Sequence, residues 1–306
     1  MIAGASEARW VRPQPRRTIP AGFIDRVLRE AFPRSGLLNL QPLTDGLRNA
    51  NFKLQLDAAP NLVVLRIYEH DPSLCQKEID LIQLVAGSIP VPEALYADAR
   101  PSESMPPFAL SRWVEGISFR EILRSGDARV IASAANAAGQ TLAALGHFPF
   151  PNLGWLAPGP KVVQDAVQVG ANPIPRFVDF CLASPNLQRR TTVELRDRIG
   201  ALVWSWSPQL AAAHHEARLV HGDFGKRNLL MSSVGGNWPV AAVLDWEFAV
   251  SGSPLADLAT SCDTRSLRVQ SLNRISRRRI YRLEGRCPTD GANSPGCWIC
   301  PFCARA

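Results

Sequence analysis

The feature that most constrains this chain is a short polar motif in its second half, flanked by apolar stretches. Within RLVHGDFGKRNLLM (218–231), Asn228 follows Asp223 by five positions, and 17 positions later the apolar run VAAVLDWE (240–247) presents Asp245. A carboxylate can accept or orient a hydroxyl proton, and a carboxamide with a second carboxylate can hold Mg²⁺ through oxygen ligands. Phosphoryl transfer needs such a set, because its catalysis consists mostly of positioning and charge neutralisation.

The rest of the chain divides into a β-rich first third, a short connector and a mainly helical remainder. Apolar spacing predicts helices, alternation predicts a hairpin, and residues from about 128 onward are Ala-rich with helical periodicity. The predicted helices are 24–32, 73–86 and 192–213, and the predicted strands are 51–57, 61–68, 106–116 and 240–247. This order indicates an α+β fold with a small β-rich N-lobe and a larger, mainly helical C-lobe, with a cleft between them.

The charge is concentrated at one end of the sequence. Residues 262–306 hold nine Arg, no Lys and three acids, which leaves 25 basic and 24 acidic residues elsewhere. Because the body is nearly neutral, we expect no nucleic-acid partner. Glu7 and Arg9 interrupt the apolar run that a signal peptide needs, and no apolar stretch approaches the roughly 20 residues that span a bilayer. We therefore expect a cytoplasmic protein with no membrane partner.

The combination HGDFGKRN, VAAVLDWE and GSPLADLA (252–259) resembles the aminoglycoside phosphotransferase family, which includes choline- and homoserine-kinase-like enzymes. The resemblance covers roughly residues 40–261 and implies a bilobal, protein-kinase-like fold. It also implies that Asp223 is the catalytic base, that Asn228 and Asp245 bind Mg²⁺, and that Asp257 has a structural role in the helix after the motif.

The same resemblance implies a nucleotide site for ATP or GTP in the N-terminal lobe. The segment DGLRNAN (45–51) takes the place of the phosphate loop and contributes Gly46 and Asn49. On the next strand the basic residue that contacts the nucleotide phosphates would be Arg66, and its helix partner would be Glu78.

The connector SRWVEG would offer adenine the backbone of Arg112 and Val114. The expected domains are a nucleotide-binding lobe over 1–114, in which 1–20 form a loose leader, and a catalytic lobe over 115–261. Residues 262–306 form an aberrant, poorly ordered tail in this interpretation.

Several residues allow more than one interpretation. Arg66 stands where protein kinases place Lys, and its forked guanidinium meets phosphate with a different geometry from that of an ammonium. Glu78 could form a plain surface ion pair with Arg66, which would contribute little. We expect His221 to brace the loop backbone rather than titrate, and Glu247 either to approach the metal or to be structural. Trp204 and Trp206 are expected in the core.

The tail after Ser261 departs from the family pattern. It holds five of the seven cysteines, at positions 262, 287, 297, 300 and 303, and a run of arginines at 277–279. Cys297, Cys300 and Cys303 follow a C-x2-C-x2-C spacing, with Cys287 upstream. These four thiolates could bind zinc or an iron–sulfur cluster, and the arginines could bind nucleic acid.

A shift of the reading frame explains the tail more simply. Adding one T before the codon of Ser261 and back-translating gives a reading that contains WRELARLLDL, an amphipathic helical stripe. The printed chain would then lack helices that cover apolar surface, and we expect it to be poorly soluble or inactive.

The sequence predicts an enzyme that moves the γ-phosphate of ATP or GTP to a hydroxyl of a small molecule. Residues 150–219, expected to line the acceptor site, hold five acids and seven Lys or Arg. Because aminoglycosides are polycations, this balance favours a neutral or anionic alcohol. The alternatives are a catalytically dead nucleotide-binding remnant and, from another class, a metal-stabilised binding protein. No obligate protein partner is evident.

Overall fold

A computed structural model describes residues 22–43, 49–69, 71–100, 106–163, 173–212 and 217–261. The chain divides into two compact units. The first comprises the described residues up to Gly116 together with Pro158–Pro160 and Ala241–Glu247. The second comprises Ile117–Ala157, Lys161–Val240 and the described residues from Phe248 onward. The interpretation from sequence had assigned 241–247 to the C-terminal lobe, whereas these residues pack with the first unit.

The elements follow one another along the chain in two series. The first is α1 (Phe23–Ala31), β1 (Leu37–Leu43), β2 (Ala50–Leu56), β3 (Leu62–Ile67), α2 (Leu74–Val85), β4 (Ala94–Asp98) and β5 (Phe108–Arg112). The second is β6 (Ile117–Ser118), α3 (Phe119–Ser125), α4 (Ala128–Leu145), β7 (Gly154–Ala157), β8 (Lys161–Val163), α5 (Pro173–Leu182), α6 (Pro185–Gln188), α7 (Val193–Ser205), α8 (Ser207–Ala212), β9 (Arg218–Val220), β10 (Leu229–Met231), β11 (Val240–Val243), a 3-10 turn (Trp246–Phe248), β12 (Val250–Gly252) and α9 (Leu255–Ser261).

The first unit is built on a five-stranded antiparallel sheet in the order β1-β2-β3-β5-β4. Because side chains alternate along a strand, one face of the sheet carries Leu54, Leu65 and Leu110, which are fully buried in a core that includes residues of α1. The opposite face carries Arg66, which lies between Asn51 and Ala109 in the strand register. Residues of α2 pack on this second face around Ala109. The charged side chain of Arg66 therefore lies on the face of the sheet that α2 covers.

The second unit combines helices with short strand pairs. Helix α4 is rich in alanine and buries Leu142 together with Ala134, Ala135 and Ala138, whose small side chains allow close packing. Strands β8, β7, β12 and β9 form an antiparallel sheet, and β10 pairs with β6. The polar motif joins β9 to β10. No helix among the described residues combines the length and the apolar character that crossing a bilayer requires.

Most of the predicted elements are confirmed, and two are corrected. The predicted helices at 24–32 and 73–86 correspond to α1 and α2, and the predicted hairpin corresponds to β2 and β3. The single helix predicted over 192–213 is two helices separated at Trp206. The strand predicted over 240–247 ends at Val243, because Asp245 takes a positive φ of 66° and a 3-10 turn follows. A left-handed residue cannot continue an extended strand.

Candidate active site

The polar motif of the second unit begins with a turn that only glycine can form. Gly222 has φ of 81°, and a Cβ atom added to it would lie 2.3 Å from the carbonyl oxygen of Phe248. Any side chain at this position would therefore collide with backbone as well as strain the left-handed conformation. The close approach fixes the course of the chain just before Asp223.

Asp257 of α9 holds the backbone of this turn. Its side chain is buried, and its two oxygens accept the N–H groups of His221 at 2.6 Å and Gly222 at 2.8 Å. Burial raises the pKa of Asp257 to about 7, although these amide hydrogen bonds lower it. The structural role expected for Asp257 is thus to satisfy two backbone donors that would otherwise be buried without a partner.

His221 also braces the loop. Its ring is fully buried, and Nδ1 accepts the backbone N–H of Asp223 at 3.2 Å. The buried strand residues Val220 and Leu229 flank the motif on either side. The position of Asp223 is therefore set by packing and by hydrogen bonds from its neighbours.

Asn228 lies against Asp223 within the same loop. Its Nδ2 donates to the Asp223 carboxylate at 2.8 Å and to the Asp223 carbonyl at 2.9 Å. Because the amide nitrogen is used in this way, the amide oxygen is the atom of Asn228 that suits a cation. Carboxylate and carboxamide oxygens are the hard ligands that Mg²⁺ prefers. The residues of this loop thus fit the predicted metal by their chemistry.

The first unit contains a second polar cluster, centred on Arg66. The guanidinium donates to Asp245 through one terminal nitrogen and, through the other, to Glu78 at 3.0 Å and towards Glu247 at 3.5 Å. Tyr68 completes the set by donating its hydroxyl to Glu78 at 2.7 Å. A guanidinium can bridge these carboxylates because its donors diverge as a rigid fork.

Burial makes this cluster electrostatically strong. Only 3% of Glu78 is exposed, so the alternative of a surface ion pair is wrong. Burial raises the pKa of Glu78 to about 7, while the charge of Arg66 lowers it. Burial by itself lowers the pKa of Arg66, but Glu78 and Asp245 outweigh it and raise that pKa above its usual value. Arg66 therefore stays charged and is fixed in place.

Glu247 connects Asn49 and Lys77 to the cluster around Arg66. Its Oε2 accepts Nδ2 of the buried Asn49 at 3.1 Å, and its carbonyl accepts Nζ of Lys77 at 2.8 Å. Lys77 is also buried, which lowers its pKa, whereas Glu78 and Glu247 raise it. Of the two roles considered for Glu247, these contacts favour the structural one. Nothing in the residue pattern indicated a role for Lys77, which lies beside Glu78 in an ordinary helix.

The structure says less about the other residues that were predicted to bind the nucleotide. Gly46 lies outside the described residues. The N–H of Arg112 donates to the carbonyl of Glu93 at 2.9 Å, and its guanidinium pairs with the Glu93 carboxylate at the surface. The backbone N–H of Arg112 is therefore already in use, and the adenine-binding role of Arg112 and Val114 stays a prediction.

The chain combines a sheet that holds a cation–carboxylate pair with a helical unit that carries a catalytic-type loop. This combination is the architecture of protein-kinase-like phosphotransferases. The chain belongs to the phosphotransferase enzyme family, whose model matches residues 39–284. The α+β, protein-kinase-like fold expected from the motifs is confirmed, and so is the predicted membership of a phosphotransferase family. The match runs past the expected end of the resemblance at residue 261, into residues that lie outside the described part of the chain.

Solved structures share the fold of this chain, and a curated protein is similar to it in sequence. The GDP and kanamycin complex of the aminoglycoside phosphotransferase APH(2")-IIia shares 16% identity, covers 87% of this chain and 84% of that chain, and has a TM-score of 0.63. The ADP and hygromycin B complex of APH(4)-Ia shares 21% identity, covers 86% of this chain and 83% of that chain, and has a TM-score of 0.55. Acyl-CoA dehydrogenase family member 11 of Gallus gallus is 28% identical over 249 residues, which span 78% of this chain but only 30% of that relative.

We predict that Asp257→Ala destabilises the second unit. The variant leaves the N–H groups of His221 and Gly222 buried without an acceptor, and we expect a loss of about 2–4 kcal/mol. Urea unfolding followed by circular dichroism measures it. The exposed Asp197, replaced in the same way, is the control and should change the free energy of unfolding by less than about 0.5 kcal/mol. Equal effects of the two substitutions would contradict the proposed brace.

We predict that Asn49→Asp destabilises the first unit, because it sets a second carboxylate against Glu247 in a buried position. The expected loss is about 2–4 kcal/mol. The double variant Asn49→Asp/Glu247→Gln restores a donor–acceptor pair with its direction reversed and should recover at least half of that loss. Thermal unfolding of the two single variants and the double variant gives the coupling free energy. Purely additive effects would show that the pair contributes nothing.

A third prediction compares two Arg–Glu pairs of the same sheet. Arg66→Lys keeps a positive charge but loses the fork that reaches Glu78 and Asp245 together, so we expect a loss of about 1–3 kcal/mol. The matched substitution Arg112→Lys alters an exposed pair with Glu93 and should cost less than about 0.5 kcal/mol. Denaturant unfolding measures both, and similar losses would refute the importance of burial at Arg66.

Proposed function

We propose that the protein transfers the γ-phosphate of ATP or GTP to a hydroxyl group of a small molecule. The observation that carries this proposal is the fixed position of Asp223, whose backbone and carboxylate are held by His221 and Asn228. An oriented carboxylate can accept the proton of an attacking hydroxyl, which is the role that phosphoryl transfer requires of a base. The structural neighbours include ADP and GDP complexes, which supports a nucleotide co-substrate.

In this proposal Asp223 orients the acceptor hydroxyl and takes its proton, while Asn228 holds the Asp223 carboxylate in place. The amide oxygen of Asn228 and the carboxylate of Asp245 would hold Mg²⁺. The ion, when bound, would neutralise the charge of the nucleotide phosphates. The 38% exposure of the Asp245 side chain is compatible with an additional ligand.

Arg66 is the proposed phosphate contact of the first unit. Its Nε is a buried donor without a hydrogen-bond partner among the described residues, and its terminal nitrogens are oriented by Glu78 and Asp245. Glu78 therefore acts through Arg66 and does not itself touch the nucleotide. Asn49 and, in the segment outside the described residues, Gly46 would form the phosphate loop.

The acceptor is proposed to be a neutral or anionic alcohol. The excess of basic over acidic residues between positions 150 and 219 does not suit a polycation. Kanamycin and hygromycin B are bound by the structural neighbours, but the low identity to those enzymes supports the fold alone. A cytoplasmic location, and the absence of nucleic-acid and membrane partners, remain predictions from the sequence.

A catalytically dead nucleotide-binding remnant is the second candidate. It is favoured by the contact between Arg66 and Asp245, since the guanidinium occupies a carboxylate that the metal needs. ADP release that depends on Asp223 would separate an active enzyme from such a remnant. The metal-binding alternative concerns the cysteines of the tail, which lie outside the described residues, and it stays a prediction.

We predict that Asp223→Ala lowers the rate of ADP formation with a panel of small alcohols by about 10²–10⁴-fold. ATP-dependent thermal stabilisation should persist in this variant, which distinguishes loss of the base from loss of the fold. Arg227→Ala, at an exposed position of the same loop, is the control and should retain full turnover. Unchanged turnover of Asp223→Ala would remove Asp223 from the role of base.

A further inference from the structure

Three buried polar atoms of the first unit have no hydrogen-bond partner among the described residues. They are Oδ1 of Asn49, Oδ1 of Asn51 and Nε of Arg66. Asn51 lies opposite Arg66 in the register of β2 and β3, so the two side chains project from the same face of the sheet. The proposed phosphate contact accounts for the Arg66 donor but not for the two acceptor oxygens. Because a buried acceptor without a donor costs free energy, the pair of oxygens indicates a ligand that supplies hydrogen atoms or positive charge.

Glu247 sets the orientation of the Asn49 carboxamide. Nδ2 of Asn49 donates to Oε2 of Glu247 at 3.1 Å, and both residues are buried. A carboxylate accepts hydrogen bonds and does not donate them, so exchanging the amide nitrogen and oxygen would set two acceptors against each other. Oδ1 is therefore the atom of Asn49 that is left for a ligand. Since an oxygen cannot donate to a phosphate, the partner of this atom is of another chemical kind.

The guanidinium of Arg66 lies between Asp245 and the pair formed by Asn49 and Glu247. One of its terminal nitrogens donates to Oδ1 of Asp245. The other lies 3.5 Å from Oε2 of Glu247, the same oxygen that accepts from Asn49. Asn51 stands opposite Arg66 on the neighbouring strand. Both asparagines are thus close to the carboxylate of Asp245, which is the proposed metal ligand of this unit.

A hydrated divalent cation has the chemistry that these oxygens require. Mg²⁺ is usually held by one or two carboxylates and keeps several of its water molecules. No group of three or more His, Cys, Asp or Glu within the described part of the chain is placed to hold a metal ion, so an ion at Asp245 would keep much of its water. Charge agrees with this ligand, because the cluster sets three carboxylates, those of Glu78, Asp245 and Glu247, against the two cations Arg66 and Lys77.

We propose that the amide oxygens of Asn49 and Asn51 accept hydrogen bonds from the water molecules of a divalent cation bound at Asp245. The two asparagines are then outer-sphere ligands, which hold the ion through its water, and Glu247 is the positioning residue that orients Asn49. The inference rests on the proposed metal-binding role of Asp245. It gives the start of β2 a function in holding the cation, in addition to the phosphate contacts proposed for the loop before it.

Binding of Mn²⁺ to the full chain without nucleotide, followed by electron paramagnetic resonance, tests this site. Asn51→Leu removes the acceptor at nearly constant volume and should weaken Mn²⁺ binding about 5–20-fold, since a hydrogen bond from cation-bound water is lost. Asn51→Asp keeps an acceptor oxygen and should bind Mn²⁺ at least as tightly as the unchanged protein. Gln55→Leu, which alters an exposed amide on the same face of β2, is the control and should change the affinity by less than about twofold.

A double-mutant cycle tests the positioning role of Glu247. Glu247→Gln should weaken Mn²⁺ binding in the unchanged protein, because a glutamine can present either its oxygen or its nitrogen to Asn49 and no longer fixes the amide. In the Asn49→Leu background the same change should have a much smaller effect, since the oriented oxygen is already absent. Equal effects of Glu247→Gln in the two backgrounds would show that Glu247 does not act through Asn49.

The affinity for ADP in excess EDTA separates this role from a phosphate contact. Asn51→Leu should leave that metal-free affinity unchanged within about twofold. A loss of ADP affinity with unchanged Mn²⁺ binding would make Asn51 a phosphate contact, and a lower melting temperature with both affinities unchanged would make it the partner of a structural water. Either result would overturn the proposal. Asp245→Asn tests the underlying metal site by itself, and Mn²⁺ binding that survives this change would refute the proposed role of Asp245 together with the inference built on it.

Discussion

The first unit depends on the largely buried guanidinium of Arg66. Arg66 projects from the face of the sheet opposite its apolar core, and Glu78, Asp245 and Glu247 surround its guanidinium. A buried charge of this kind is tolerated only when partners of opposite sign and hydrogen bonds compensate for its lost hydration. The requirement links β3, α2 and the segment after β11 into one unit, because each supplies a carboxylate. An arginine suits this position, since its fork presents separate nitrogens to two partners, whereas a lysine presents a single nitrogen.

The second unit holds a short loop in a fixed conformation without regular secondary structure. Gly222 allows the chain to pass within contact distance of the Phe248 carbonyl, and Asp257 satisfies the amide groups that this course leaves without partners. His221 then fixes Asp223 through its backbone. Preorganisation of this kind places a carboxylate with little reorganisation during reaction, which is how phosphoryl-transfer enzymes gain most of their rate.

Much of the fold could be predicted from local patterns. The hairpin of β2 and β3, helices α1 and α2, and the order of the polar motifs follow from apolar spacing and from residue types that suit turns. The predictions from sequence were wrong where the local residue pattern continued although the backbone changed its conformation. The apolar run 240–247 suggests a strand, yet Asp245 adopts a left-handed conformation that ends it. Trp204 has the size of a core residue, but no element among the described residues covers it.

The sequence by itself determined the family and the residues that form the polar loop, because both depend on a short motif with a characteristic spacing along the chain. Only the tertiary structure decided the partners of Arg66 and the roles of Glu247 and Lys77. Arg66 and Asp245 are 179 positions apart, and Asn49 and Glu247 are 198 positions apart. Contacts at such separations depend on how strands and helices pack against one another, which periodicity and spacing do not record.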